Sequence, residues 1–115
     1  MILELVTFPA RPGADWDGIL ADARESVPRW RANSALLRKH YLLSEDQREC
    51  GGLYIWPDRA AAEAAHNAEW RAAVEKRTGA APTIRYFALQ MLLDNEAGTV
   101  TEWSRSGAKA VHPAG

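Results

Sequence analysis

The spacing of hydrophobic residues changes along this chain. Some segments are apolar in the way of strands, and others carry apolar residues every three or four positions, which predicts helices. Residues 2–8 (ILELVTF) carry apolar side chains at both parities, which predicts a strand covered on both faces. Residues 35–43 and 49–56 predict a second and a third strand, joined as a hairpin by a polar turn. Residues 83–93 predict a fourth strand near the end of the patterned region.

An amphipathic helix is predicted between the first two strands. Asp15 is a typical N-cap residue, and apolar side chains recur behind it every three or four positions. This spacing predicts a helix over about 15–31, with Pro28 disturbing its last turn. The residues on its apolar side are Trp16, Ile19, Leu20, Ala23, Val27 and Trp30.

The alanine-rich segment after the third strand predicts two short helices instead of one long helix. Its alanines share one helical side, but Trp70 falls on the opposite side. A break at His66–Asn67 resolves this conflict, because Asn67 can cap a new helix. We therefore predict helices over about 58–66 and 68–78.

The order of elements is β-α-β-β-α-β, the ferredoxin-like α+β arrangement of a four-stranded antiparallel sheet with helices on one face. The other face of this sheet carries apolar residues as well, so we expect a second copy to cover it in a homodimer with cavities. Because the composition changes after Asp94, residues 1–97 are expected to form this domain. Residues 98–115 are expected to form a tail, either disordered or docked on the partner subunit.

Composition narrows the class of protein. The 14 basic and 15 acidic residues among 115 argue against a nucleic-acid partner that binds a basic surface. A single cysteine excludes an internal disulfide and a cysteine-cluster metal site. No run approaches the about 20 apolar residues of a membrane-spanning helix, so no membrane partner is expected. The apolar start is short and carries Glu4, unlike a signal peptide, so we expect a cytoplasmic protein.

Five tryptophans are more than a chain of this length usually carries, and each large ring needs cover. Trp16 and Trp30 are expected on the core side of the first helix. Trp56 and Trp70 are expected at a pocket, and Trp103 is expected to dock on the partner subunit.

Four blocks of sequence resemble successive blocks of the ydhR-like mono-oxygenases, which belong to the dimeric α+β barrel group with the antibiotic-biosynthesis monooxygenases. They are residues 38–46 (RKHYLLSED), 51–56 (GGLYIW), 64–71 (AAHNAEWR) and 78–87 (TGAAPTIRYF). The resemblance covers about residues 1–97. It implies a homodimer with an apolar cavity in each subunit. It also implies oxidation of a small aromatic or polyketide-like compound by O2, with no metal, flavin or haem cofactor.

Two other functions remain open on the same scaffold. One is an isomerase or cyclase, and the other is a non-catalytic dimer that binds a small molecule.

Strand parity suggests which aromatic residues bind the substrate. Leu53 and Ile55 suit the alanine-rich helix, so Tyr54 and Trp56 are expected to face the cavity. Tyr86 in the fourth strand and Trp70 beside the helix break complete the expected wall. The alternative is that these rings belong to the ordinary core or to the dimer interface.

Oxygenation without a cofactor also needs a base, and two residues are candidates. Glu4 lies between two leucines, where burial would raise the pKa of its carboxyl. His40 lies in the second strand, and histidine titrates near neutral pH. For His40 the alternative is a structural role. For Glu4 the alternatives are an edge position or an ion pair with Arg38, Lys39 or Arg85. His66 is expected only to mark the helix break. Its spacing from Glu63 is half of a di-iron motif that has no second copy, so no metal site is expected.

Overall fold

The computed structural model describes residues 1–115 and contains seven strands and three helices. The strands are β1 (Ile2–Pro9), β2 (Arg38–Leu43), β3 (Glu49–Trp56), β4 (Thr83–Ala88), β5 (Met91–Asp94), β6 (Thr99–Trp103) and β7 (Lys109–Pro113). The helices are α1 (Trp16–Arg31), α2 (Arg59–Ala65) and α3 (Ala68–Thr78). None of these helices has the length and apolar content needed to span a membrane.

The main sheet has the strand order β2-β3-β1-β4, and every neighbouring pair is antiparallel. β1 and β3 are therefore the central strands. Together with α1, α2 and α3 this sheet forms the predicted ferredoxin-like α+β fold, so the expectation for the fold class is confirmed.

Two helices begin at the capping residues that the sequence predicts. Asp15 accepts a hydrogen bond from the Gly18 backbone N–H at 2.9 Å, at the start of α1. Asn67 accepts one from the Trp70 N–H at 2.9 Å and separates α3 from α2. Each side chain satisfies a backbone donor that the first helical turn leaves unpaired. The predicted break between α2 and α3 is therefore confirmed.

The predicted fourth strand is divided in two. Thr83–Ala88 pairs with β1, whereas Met91–Asp94 pairs with β6 in a second sheet of order β5-β6-β7. At the junction the Leu89 N–H still donates to the carbonyl of Met1, but the Gln90 carbonyl accepts from Trp103. The chain thus changes partners where it runs past the first residue of β1, a step that apolar patterning alone does not show.

Residues 98–115 were expected to be a disordered or docked tail, and the structure places most of them in this second sheet. Thr99–Trp103 pairs with β5 on one side and with Lys109–Pro113 on the other. Trp103 lies at the end of β6 and is half-buried within the single chain. Its docking on a partner subunit stays a prediction.

The main sheet has a covered face, which bears the helices, and an open face. The covered face carries the buried Val6, Tyr54 and Trp56, and they form a core with Trp30 of α1 and Ala62 of α2. Leu53 and Ile55 alternate with these residues and lie on the open face. The expectation that Leu53 and Ile55 pack on the alanine-rich helix is therefore wrong. The small alanines leave room for the large aromatic rings, not for the aliphatic side chains.

The core itself is small. Only 10 of the 115 residues are buried, and Trp16, expected on the core side of α1, is 60% exposed. Trp30 is the buried tryptophan of that helix. The space between α1, α3 and the covered face is left for a cavity.

Candidate functional site

Glu4 is the most deeply buried charged residue, and its position follows from the sheet. It lies in the central strand β1, opposite Tyr54 on one side and Tyr86 on the other. All three therefore share the covered face. Glu4 has no exposed surface, which rules out the edge position considered above.

One oxygen of Glu4 joins the sheet to the helix break. Oε1 accepts a hydrogen bond from the Trp56 indole Nε1 at 2.9 Å and lies 2.8 Å from Nδ1 of His66. An ionised carboxylate can only accept, so Nδ1 is the donor in that state. The side chains of Glu4 and His66 are both fully buried. We call Glu4, Trp56 and His66 the buried triad.

Two polar atoms of the buried triad have no partner. They are Oε2 of Glu4 and Nε2 of His66. When Nδ1 of a neutral imidazole carries the proton, Nε2 is a free acceptor. An unpaired buried polar group costs about 1–3 kcal/mol, and such groups call for a functional explanation. The carboxylate–imidazole pair has the arrangement in which a carboxylate orients a histidine base.

Aromatic rings surround the imidazole of His66. The centroid of its ring lies 4.4 Å from that of Trp70, 4.6 Å from Tyr54 and 5.2 Å from Trp30. Trp70 also meets Phe8 edge-on at 6.5 Å. The helix break places His66 under the sheet, and the first turn of α3 places Trp70 beside it.

A cavity of about 640 Å³ lies between α1, α3 and the covered face, beyond these rings. Trp30, Tyr54 and Trp70 all line it, so His66 lies directly behind the cavity wall. Its volume falls within the about 300–1,000 Å³ typical of small-molecule sites. The charged lining residues are Arg11, Arg29, Lys39 and Arg77 against Asp22 and Glu25, which leaves a basic excess.

Lys39 of β2 enters the same cavity from the sheet. Its Nζ lies 4.4 Å from the ring centroid of Trp30, 4.0 Å from that of Tyr41 and 4.7 Å from that of Tyr54. Burial, with a contribution from the positive charge of Arg29, lowers the pKa of Lys39 to about 7. Burial also raises the pKa of the Tyr54 hydroxyl, with a contribution from the charge of Glu4.

Gly52 makes room for this lysine. A Cβ at residue 52 would lie 2.8 Å from the Tyr54 ring and 3.0 Å from Cε of Lys39. The absence of a side chain thus allows both groups to lie against the strand.

The structure brings together only some of the predicted site residues. Tyr54 and Trp70 line the cavity. Trp56 has no exposed surface and instead holds Glu4. Tyr86 lies on the other side of Glu4, under the guanidinium of Arg59 at 4.2 Å, and does not line the cavity.

His40 is separated from all of these residues. It pairs with Leu53 across the β2–β3 ladder and is exposed on the open face, whereas Glu4 lies on the covered face. The two predicted bases, His40 and Glu4, therefore lie on opposite faces of the sheet and are not brought together. The side chains suggested as ion-pair partners of Glu4 do not bind it either; its partners are Trp56 and His66.

Sequence reasoning missed His66 and Lys39. His66 is 62 residues from Glu4, and no local spacing connects the two. It marks the helix break as expected, since its backbone N–H donates to Ala62 and ends α2. Glu63, its neighbour in the half-motif, instead binds Arg59 at 2.8 Å. For Lys39 a weak signal existed, because it shares its strand parity with Tyr41.

Solved structures similar to this chain support the fold. An antibiotic biosynthesis monooxygenase matches with a TM-score of 0.59 and 18% identity, over 77% of this chain and 98% of its own. The monooxygenase ActVA-Orf6 of Streptomyces coelicolor, in complex with nanaomycin D, matches with a TM-score of 0.61 and 20% identity, over 81% and 90%. Rv0793 from Mycobacterium tuberculosis matches with a TM-score of 0.57 and 18% identity, over 81% and 95%.

At these identities the likeness establishes the fold, that of the ferredoxin-like dimeric α+β barrel structures. No family model and no curated protein matches this chain. The narrower resemblance to the ydhR-like mono-oxygenases stays a prediction.

Proposed function

We propose that this protein is a cofactor-independent, monooxygenase-like enzyme that acts on a small aromatic or polyketide-like compound. The observation that carries the proposal is the cavity of about 640 Å³, lined by aromatic rings and by an excess of basic side chains. Such a wall suits a planar aromatic ring that carries an acidic hydroxyl. A protein of similar fold, ActVA-Orf6, is a monooxygenase in complex with nanaomycin D, which supports this substrate class.

The proposed reaction takes all its electrons from the substrate. A phenol loses its proton, and the electron-rich phenolate reacts with O2. One oxygen atom enters the ring and the other leaves as water, so phenol and O2 give a quinone and water. The substrate supplies four electrons, and no outside reductant is needed. The protein then has to remove a proton, hold the anion and exclude water.

In this proposal His66 is the base and Glu4 orients it. Glu4 accepts a hydrogen bond from Nδ1 at 2.8 Å, which leaves Nε2, the other ring nitrogen, free to accept a proton. Nε2 has no exposed surface, so the proposal requires a ring of the cavity wall to move, and Trp70 is the cavity-lining ring nearest to the imidazole, at 4.4 Å between centroids. The phenol hydroxyl would then donate a hydrogen bond to Nε2. Trp56 keeps Glu4 in place through the second hydrogen bond to Oε1.

Arg29 and Arg77 are proposed to hold the phenolate. Both line the cavity, and neither forms a salt bridge within the chain. Arginine keeps its charge at all relevant pH values, so both favour the anionic form of the substrate. The Arg29 guanidinium lies 5.1 Å from the Trp30 ring, beside the aromatic wall.

Oxygen consumption with a series of phenols and dihydroxynaphthalenes tests the proposal. Quinone formation is followed by absorbance, and the wild-type protein is compared with His66→Gln and His112→Gln. His112 also approaches a carboxylate, that of Glu102 at 3.1 Å, but lies on the surface. A general base contributes roughly 10²–10⁴-fold, so His66→Gln should lose about 100-fold in turnover while His112→Gln keeps it.

Three results would contradict the proposal. Full turnover in a folded His66→Gln variant would remove His66 as the base. Binding of these phenols without oxygen consumption would favour the non-catalytic binding function, and their conversion to isomers or cyclised products without O2 would favour an isomerase or cyclase.

A homodimer is proposed to complete this architecture. The open face carries Leu5, Leu53 and Ile55, which are half-buried in the single chain, and Phe87, which is 42% exposed. These residues form an apolar patch in the middle of the open face, with Arg38, His40 and Arg85 beside it, and a second copy offers the same patch as a cover.

A further inference from the structure

Lys39 differs from the other lysines of this chain in its surroundings. The chain has three lysines, and Lys76 and Lys109 are exposed. Lys39 is half-buried and forms no salt bridge, although a buried ammonium normally pairs with a carboxylate. Three aromatic faces surround its Nζ within 4.7 Å instead. Its amine therefore borders the cavity without a polar partner.

We propose that Lys39 is a nucleophilic amine that forms an imine with aromatic aldehydes or ketones bound in the cavity. The Nζ lone pair attacks the carbonyl carbon, and a nitrogen–carbon bond forms. The carbonyl oxygen takes up protons and leaves as water, while the amine nitrogen loses both of its hydrogens. One amine and one carbonyl thus give one imine and one water, and nothing is oxidised or reduced.

The cavity provides what this reaction needs. A nucleophilic lysine must be neutral, and burial next to another cation is an established way to achieve this. Burial and the nearby Arg29 lower the pKa of Lys39 to about 7, so a large fraction is neutral at physiological pH. An ordinary lysine, with a pKa of about 10.4, is almost entirely protonated there.

The same surroundings define the class of ligand. Tyr41 lines the same cavity, lies 4.0 Å from the Nζ and is 39% exposed, so a flat aromatic carbonyl compound can pack against it beside the amine. Arg29 and Arg77 line the same cavity and favour an acidic substituent on that ring. Hydroxylated aromatic aldehydes combine both features. This inference uses the cavity of the proposed function but not its oxygen chemistry.

Reductive trapping tests the inference. The intact protein is incubated with 4-hydroxybenzaldehyde near neutral pH, and cyanoborohydride converts any imine to a stable secondary amine. Peptide mapping by mass spectrometry then compares Lys39 with Lys76 and Lys109 in the same molecule. From the difference in neutral fraction we expect Lys39 to react at least about tenfold faster than either. In urea-unfolded protein this preference should disappear.

Matched variants separate the amine from its charge. Lys39→Arg keeps a cation in the cavity but cannot form the imine, so it should lose the rapid adduct. Lys76→Arg should keep it. Equal labelling of all three lysines in the folded protein, or slower labelling of Lys39, would overturn the inference.

The two proposals fail independently. Rapid adduct formation at Lys39 without oxygen uptake on any phenol would retain the reactive amine and reject the oxygenase. Oxygen uptake without the adduct would retain the oxygenase and reject the reactive amine.

Discussion

The buried triad can be tested against a second histidine–carboxylate pair in the same chain. His66→Leu removes the imidazole from Glu4, and His112→Leu removes it from Glu102. The nitrogen–oxygen distances are similar, 2.8 Å in the first pair and 3.1 Å in the second. The environments differ, because the first pair is fully buried and the side chains of the second are 55% and 56% exposed.

Burial determines the expected cost. Without His66, the Glu4 carboxylate loses one of the two donors that bind its Oε1, and removing one partner of a buried pair costs about 3–5 kcal/mol. Removing one partner of an exposed pair costs less than about 1 kcal/mol. The free energy of unfolding of a natural domain is only about 5–15 kcal/mol, so His66→Leu should be strongly destabilised.

Urea unfolding followed by tryptophan fluorescence measures both variants at one protein concentration. With a slope of about 2 kcal/mol per molar urea, His66→Leu should lower the unfolding midpoint by roughly 2 M, and His112→Leu by less than roughly 0.5 M. His66→Asn provides a second measurement if the first variant does not fold. Its amide can still donate to Glu4, so it should lose less than His66→Leu.

Equal midpoint shifts for the two leucine variants would refute the reasoning. They would mean that the hydrogen bond between His66 and Glu4 contributes no more than an exposed one. A double variant, Glu4→Leu with His66→Leu, adds a further check. Its loss should be smaller than the sum of the single losses, because no buried charge is left without its partner.

Three further results are expected. Because the pKa of Lys39 is lowered from 10.5 to about 7, the folded protein binds fewer protons than the unfolded chain between these values. Urea midpoints should therefore rise from about pH 7 to about pH 8.5 in the wild type relative to Lys39→Met, and parallel profiles would contradict this. In Gly51→Ala the added Cβ would clash with the Val6 carbonyl oxygen, so the free energy of unfolding from thermal melting should fall by about 3 kcal/mol; an unchanged midpoint would argue against this close approach. Phe87→Glu on the open face should convert the proposed dimer to a monomer in sedimentation equilibrium, whereas a stable dimer would place the interface elsewhere.

Much of the fold could be read from short stretches of sequence because its signals are local. Asp15 and Asn67 each bond a backbone N–H only three residues away, so the starts of α1 and α3 needed no distant information. Alternation along β1 and β3 was equally local, and it grouped Tyr54 with Trp56 on one face. The order of these elements then left the ferredoxin-like arrangement as the expectation.

The candidate site could be predicted only in part, because its contacts join residues that are far apart in the sequence. Alternation separates two faces of a strand but does not say which one the helices cover, so Leu53 and Ile55 were assigned to the wrong side. His40 was favoured as a base by residue type alone, and its parity in β2 placed it on the open face.

The sequence by itself determined the elements of the ferredoxin-like domain up to about residue 88 and the caps of α1 and α3, and it left Glu4 as one candidate for a buried acid. Only the tertiary structure decided what that acid binds. Glu4 and His66 are 62 residues apart in the sequence, and they meet only because the break between α2 and α3 packs under the sheet. The pKa of Lys39 is likewise a property of the packed cavity, since burial and Arg29 lower it only when β2 and α1 are brought together.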